Sequence, residues 1–217
     1  MLKYILFDLD GTLTESAPGI MNSLKYAFKK LGDPVPDDAV LKKFVGPPLI
    51  ESFMKFSGFS EEKATMAVDV YREYFAEKGL FENSVYEGIP DCLKRLREAG
   101  YTLGVATSKP QVFCERILDH FGLTEYFGVI KGIPLDGEDM TKAEVISEAL
   151  GALGAVDRSE AVMIGDRAYD AVGAEENGVG CIGVLYGYGT EEELICAGAE
   201  TTVKTPRELA DLLLGMR

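Results

Sequence analysis

The stretch Lys3-Tyr4-Ile5-Leu6-Phe7-Asp8-Leu9-Asp10-Gly11-Thr12-Leu13-Thr14-Glu15 decides how the rest of the chain reads. Lys3 to Phe7 is a short apolar run rich in β-formers and bounded by a glycine turn, the pattern of a buried strand. Asp8 and Asp10 follow at a spacing of two. Strand side chains alternate faces, so both carboxylates project from one side of the strand's carboxyl end. Open α/β sheets bind their ligands at that edge. Two anions held this close call for a hard divalent cation or a shared proton. Gly11 permits a sharp turn and leaves amide groups free to face an anion. The plain alternative is a capped turn after a buried strand, since turns favour Asp and Gly in any case.

The pattern beyond Glu15 turns helical. Ser16 reads as an N-cap with Pro18 in the first turn, and Ile20, Met21, Leu24, Ala27, Phe28 and Leu31 share one face. Gly32 closes this helix. A second is expected from Asp38 to Phe44, a third from Leu49 to Phe56 after the break at Gly46-Pro47-Pro48, and a fourth after the Ser60 cap. No strand interrupts them, so residues 16–81 read as an all-helical insert.

From Gly88 onward helices and strands alternate. Strands are expected at 101–106, 127–130, 161–164, 180–185 and near 202, with helices at 90–99, 111–121, 141–150, 168–177, 191–197 and 206–216. That alternation spells βαβ crossovers and a parallel sheet. The expected fold is α/β: a Rossmann-like, doubly wound parallel core (residues 1–15 and 82–217) with the helical insert as a cap domain, poised as a lid over the sheet's carboxyl edge.

Further candidates sit where strands should end. Thr107-Ser108 supplies hydroxyls at a strand-to-helix junction, suited to an anion or, more plainly, to capping the next helix. Lys142 lies in a first helical turn, where the dipole disfavours a cation unless it reaches into an anion site. Gly165-Asp166 ends another apolar strand, with Asp170 one turn into the following helix. With Asp8 and Asp10, Asp166 and Asp170 make an oxygen-rich nest suited to magnesium. His120, at a predicted helix end, reads as a dipole partner, and Gly187-Tyr188-Gly189 as a loop.

Composition excludes several classes. Thirty-six acidic against 22 basic residues give a formal net charge of −14, which is unfit for a nucleic-acid polymer. Cys92, Cys114, Cys181 and Cys196 are scattered and only one His is present, so a zinc site or disulfide framework is not expected. The four thiols are expected in or near the core, as in a cytoplasmic protein without membrane segments. A monomer is the default expectation, with a dimer left open.

These four blocks, in this order, resemble the haloacid dehalogenase-like hydrolase superfamily: Asp8-Leu9-Asp10-Gly11-Thr12, Thr107-Ser108, Lys142, and Gly165-Asp166 with Asp170. The helical insert resembles that family's helical cap class. Val45-Gly46-Pro47-Pro48, Tyr86 to Pro90, Ala106 to Pro110 and Gly183 to Gly189 look like the branch of phosphoglycolate phosphatase-like enzymes and bacterial 5′-nucleotidases. Ala168 and Tyr169 depart from some relatives, which carry a basic or His residue there.

The resemblance implies a magnesium-dependent phosphomonoesterase acting on a small-molecule phosphate ester. In it Asp8 is the nucleophile and Asp10 the acid and base. The metal is held by the Asp8 carboxylate, the Asp10 main-chain carbonyl and Asp166, with Asp170 supporting directly or through water. Gly11, Thr12, Thr107, Ser108 and Lys142 receive the phosphoryl group, and Gly46 lines the pocket. A phosphomutase is the nearest rival, and Thr12 leans away from it. A silent binding module on the same fold is the rival from another class.

Overall fold

A computed structural model describes residues 1–135 and 140–216. The chain forms two compact units, Met1–Thr14 with Val85–Arg217, and Glu15–Ser84.

The first unit is built on β1 (Tyr4–Phe7), β4 (Thr102–Pro110), β5 (Phe127–Ile133), β6 (Ala161–Gly165), β7 (Gly180–Val184) and β8 (Thr201–Val203). The intervening β2 (Thr14–Glu15) and β3 (Ser84–Val85) form a separate two-stranded sheet where the chain passes between units. They are too short for any periodicity to announce. The six-stranded sheet runs β5-β4-β1-β6-β7-β8, every pairing parallel. Strand β1 is central, in register with β4 through Tyr4↔Thr102 and with β6 through Tyr4↔Ala161. Ile5, Leu6 and Phe7 are fully buried, as expected of a strand covered on both faces. Successive strands step one way from β1 to β4 and β5, then the other way from β6 to β7 and β8. The order therefore reverses between β1 and β6, and a crevice opens beyond their carboxyl ends.

Helices cover both faces of the sheet. On one face, Val145, Ile146, Ala149 and Leu150 of α7 (Lys142–Leu153) and Ala171 and Ala174 of α8 (Ala168–Glu176) pack with Leu6, Ala106 and Met163. On the other, α5 (Ile89–Glu98) packs against α10 (Pro206–Gly215), burying Leu93, Leu96, Leu209 and Leu213. Each such side chain contributes about 1.5–3 kcal/mol on leaving water. The Tyr101 hydroxyl donates to Leu213 O at 2.7 Å, satisfying the polar end of a buried ring. Helix α6 (Gln111–His120) packs on β4 and β5, and α9 (Glu191–Cys196) on α8, β7 and β8.

The second unit holds α1 (Ala17–Leu31), α2 (Asp38–Leu41), α3 (Leu49–Ser57) and α4 (Glu61–Tyr74), the all-helical stretch that the periodicity predicts. Asp37 and Ser60 cap α2 and α4 through Val40 N and Lys63 N, and Gly32 and Gly58 end α1 and α3 in the left-handed conformation. Its core is aromatic: Phe53, fully buried, meets Phe28 at 5.6 Å, Phe44 at 5.2 Å and Phe59 at 5.6 Å between ring centroids.

Local expectations differ in five places. Ser16 precedes α1 but makes no side-chain cap; at φ −93° and ψ −6° it is already helical, so its hydroxyl cannot turn back to the free amides. The helix expected to Phe44 tightens into a 3₁₀ turn at Lys42–Phe44, and α4 widens into a π turn at Phe75–Gly79. Strand β4 continues four residues past Ala106, so Thr107 and Ser108 lie within the strand and cap nothing; α6 begins after Pro110. Of the four free thiols, Cys92, Cys114 and Cys181 are buried but Cys196 is exposed.

Candidate active site

Each side chain of the site is placed by an element end in the first unit. Asp8 continues the β1 ladder by one residue, its amide donating to Ile164 O at 2.9 Å. The chain then turns tightly on itself: Gly11 N donates to Thr14 O (2.8 Å) and Thr12 N to Leu9 O (3.3 Å). These two amides, expected to face an anion, therefore have acceptors inside the turn. Gly11 adopts φ +87°, and a Cβ there would overlap the Asp166 carboxylate, so glycine is required by conformation and by space.

Lys142 is the first residue of α7, behind a Thr141–Glu144 capping box that fixes where the helix starts. The buried Lys142 ammonium donates to Asp8 Oδ1 at 2.6 Å and pairs with Asp170 Oδ1 at 2.8 Å. Its unfavourable position near a helix N-terminus is thereby explained. Asp170 is aimed by its own cap role: Oδ2 accepts the Arg167 amide at 3.1 Å, which leaves Oδ1 for the lysine. Asp166, fully buried after β6, accepts Thr12 Oγ1–H at 3.3 Å on Oδ1 and the Tyr188 amide at 2.8 Å on Oδ2.

Carboxylate oxygens of Asp8, Asp166 and Asp170 lie within 4.8 Å of one another. Burial pushes the Asp8 carboxyl up to about 6, with Lys142 holding it down and the charges of Asp170 and Asp10 adding to the rise. Burial, reinforced by Asp170 and Asp8, pushes Asp166 well above the carboxylate range. Burial alone would lower the Lys142 ammonium, but Asp170 and Asp8 more than offset this and hold it above its usual value. Three acids facing one lysine are short of positive charge. A divalent cation of oxygen preference fits that deficit and that donor set.

The Asp10 carboxyl stands outside this group. Its Oδ2 accepts the Lys109 ammonium at 2.6 Å, and its Oδ1 is buried with no hydrogen-bond partner among the described residues. The spacing-of-two expectation placed Asp8 and Asp10 in one nest. The structure gives them different lysines, because the turn begins between them. Thr107 is buried and accepts Lys109 N at 3.3 Å, whereas Ser108 is exposed, as strand alternation requires.

Gly46 lies in the helical unit beyond the Lys42–Phe44 turn, exposed, with φ +105°. His120 ends α6 exposed, its ring 4.8 Å from that of Phe121.

Two features escape a reading of the residues alone. Lys109 stands two positions after Thr107, hence on the same strand face, and that spacing was the available signal. The loop Gly187-Tyr188-Gly189 is part of the site: a Cβ at Gly187 would overlap Gly11 O and Asp166 Cβ, and one at Gly189 would overlap Asp166 O. Its glycine spacing marks backbone packed on backbone.

A parallel doubly wound sheet carrying buried carboxylates and a lysine at its switch point places the chain among α/β enzymes. Over residues 5–184 it matches the sequence profile of the haloacid dehalogenase-like hydrolases, and it belongs to that family. A 5′-nucleotidase of Pseudomonas aeruginosa is 49% identical over 195 residues, covering 89% of this chain and 88% of that protein. A tyrosine-protein kinase PtkA of Mycobacterium tuberculosis is 40% identical over 187 residues, covering 86% of this chain and 63% of that protein. The crystal structure of a predicted phosphatase from Clostridium acetobutylicum superimposes with a TM-score of 0.93 at 50% identity, covering 99% of both chains. The chain is an enzyme of the family's phosphatase type. No described helix is long and apolar enough to cross a membrane.

Proposed function

We propose that this protein is a magnesium-dependent phosphomonoester hydrolase that cleaves a small phosphorylated metabolite, of the 5′-nucleotide or phosphoglycolate kind, through an aspartyl-phosphate on Asp8. The observation that carries the reading is the buried Lys142 bound at once to Asp8 and Asp170, with Asp166 beside them. Such a set holds a carboxylate ready while leaving a deficit of positive charge for a cation to fill.

In the first step the Asp8 carboxylate attacks phosphorus. An acyl-phosphate bond forms, the ester P–O bond breaks, and Asp10 gives its proton to the departing alkoxide. In the second, Asp10 takes a proton from water as its oxygen attacks phosphorus; inorganic phosphate leaves and the Asp8 carboxylate is restored. Lys142 and the Thr107 hydroxyl bind the equatorial oxygens, where transition-state charge is spread, while the exposed Ser108 side chain on the opposite strand face stays outside this set. Asp8, Asp166, Asp170 and the Asp10 carbonyl are the residues that would hold magnesium. Bound there, the ion supplies charge neutralisation for the phosphoryl group. Gly11 and Thr12 serve the same site by letting Asp166 approach and by orienting it. The helical unit, with Gly46, selects the leaving group in this reading, and the free thiols suit a reducing cytoplasm.

The test is phosphate release from nucleoside 5′-monophosphates, phosphoglycolate, sugar phosphates and p-nitrophenyl phosphate, with and without magnesium. Similarity to the Pseudomonas 5′-nucleotidase puts the nucleotides first. Release that needs magnesium and vanishes in Asp8→Asn is the expected result. Activity that survives in Asp8→Asn overturns the mechanism.

A further inference from the structure

We propose that Lys109 is a positioning residue that divides the two oxygens of Asp10, tethering Oδ2 so that Oδ1 alone exchanges protons with the leaving group and with water. This inference rests on the acid and base role given to Asp10 above.

The geometry has three parts. The Lys109–Asp10 pair is close, 2.6 Å, and nearly dry, with side chains 6% and 16% exposed. The residues are 99 positions apart, and only the adjacency of β1 and β4 brings them together. Second, the other oxygen of the same carboxyl, Oδ1, is buried without a partner among the described residues. A buried unsatisfied carboxylate oxygen is costly, and a site retains one where a reacting atom completes it. Third, Lys109 is held from behind. Its amide donates to Thr107 Oγ1 at 3.3 Å, and the β5 backbone presses on it so closely that a Cβ on Gly132 would come within 2.5 Å of Lys109 O.

A carboxyl group free to spin presents either oxygen and spreads its proton over many directions. With Oδ2 fixed by a charge-assisted hydrogen bond, the torsion is set and Oδ1 points one way. Lys109 thereby acts on the proton transfer through Asp10 and need not touch the phosphoryl group.

The inference is tested with magnesium-saturated enzyme on two substrates, an alkyl phosphate and p-nitrophenyl phosphate, by kcat/KM, which reports the step that forms the aspartyl-phosphate. Departure of an alkoxide needs a proton; departure of p-nitrophenolate does not. Lys109→Met is expected to lose about 10²-fold on the alkyl ester and only a few fold on the aryl ester. In an Asp10→Asn background the same substitution should change neither ester further, since the group it acts through is gone. Lys109→Gln, which keeps a donor, should fall between wild type and Lys109→Met, and serves alone should the methionine variant not fold.

Equal losses on the two esters, or a full additional loss in Asp10→Asn, overturn the inference and make Lys109 a phosphoryl-binding or structural group. A wild-type protein that releases phosphate from neither ester overturns the phosphatase mechanism itself, a different failure from the first two.

Discussion

The two units handle charge in opposite ways. Among the described residues, the buried charged side chains, Asp8, Lys109, Lys142, Asp166 and Asp170, belong to the α/β unit, and the buried polar side chains of the helical unit are the hydroxyls of Ser16, Ser23 and Ser52. Its ion pairs, such as Lys25 with Asp38, are at the surface, and its interior is packed phenylalanine. A unit under no chemical demand fills its core with apolar rings. The unit that gathers Asp8, Asp166 and Asp170 accepts desolvation and like-charge repulsion at one point of the sheet. Stability and chemistry are therefore expected to separate by unit when each is perturbed.

The largest effect belongs to Asp8→Asn. It should lower kcat by at least about 10⁴-fold, as removal of a nucleophile does, with the thermal midpoint barely reduced. A variant that retains a tenth of the activity would place the reaction elsewhere. Next comes Phe53→Ala in the helical unit, which leaves a cavity among Phe28, Phe44 and Phe59 and should cost about 3–5 kcal/mol in denaturant unfolding of that unit. A smaller cost would mean that the aromatic cluster collapses to fill the space.

Gly187→Ala is a subtler test within the α/β unit. The added methyl must push Gly11 or Asp166 aside, so the cation's effect on the melting curve should need about 10–100-fold more magnesium. Unchanged titration would show that the loop yields instead of the carboxylate.

The smallest effect tests the contrast most directly. In metal-free protein, Asp166→Asn should raise the melting temperature by a few degrees at pH 7.5 while abolishing activity. The sign follows from the raised carboxyls. A group whose folded-state value lies above its unfolded value binds protons more tightly when folded. Its favourable contribution is full below about pH 4 and is lost as pH rises; for Asp8 that window closes at about 6. The gap between wild type and Asp166→Asn should therefore widen from pH 4 upward and close again on addition of magnesium, which replaces the missing positive charge. A gap independent of pH would remove charge repulsion as its cause.

Much of this was legible without coordinates. Short apolar runs locate the main strands and period-3.6 patterns the helices of both units, because run length and spacing are local properties of the chain. Glycine at positive φ punctuates them at Gly32, Gly100 and Gly122. Asp8, Lys142, Asp166 and Asp170 stand out as charges at strand and helix ends, where an apolar run gives no reason for them. Where expectation and structure part, competition from beyond the neighbourhood decides. Ser16 has capping chemistry but helical backbone angles, and Thr107-Ser108 is drawn into β4 by its pairing with β5.

The amino-acid sequence alone thus determined the α/β class and singled out the helical stretch and the charged residues at strand and helix ends, since each depends on side-chain type and local period. Only the tertiary structure decided the strand order, the division of Asp8 and Asp10 between Lys142 and Lys109, and the packing of Gly187-Tyr188-Gly189 on Asp166. Those contacts join residues 22 to 134 positions apart, and which of them meet depends on which strands become neighbours. That is a property of the whole sheet, not of any segment of the chain.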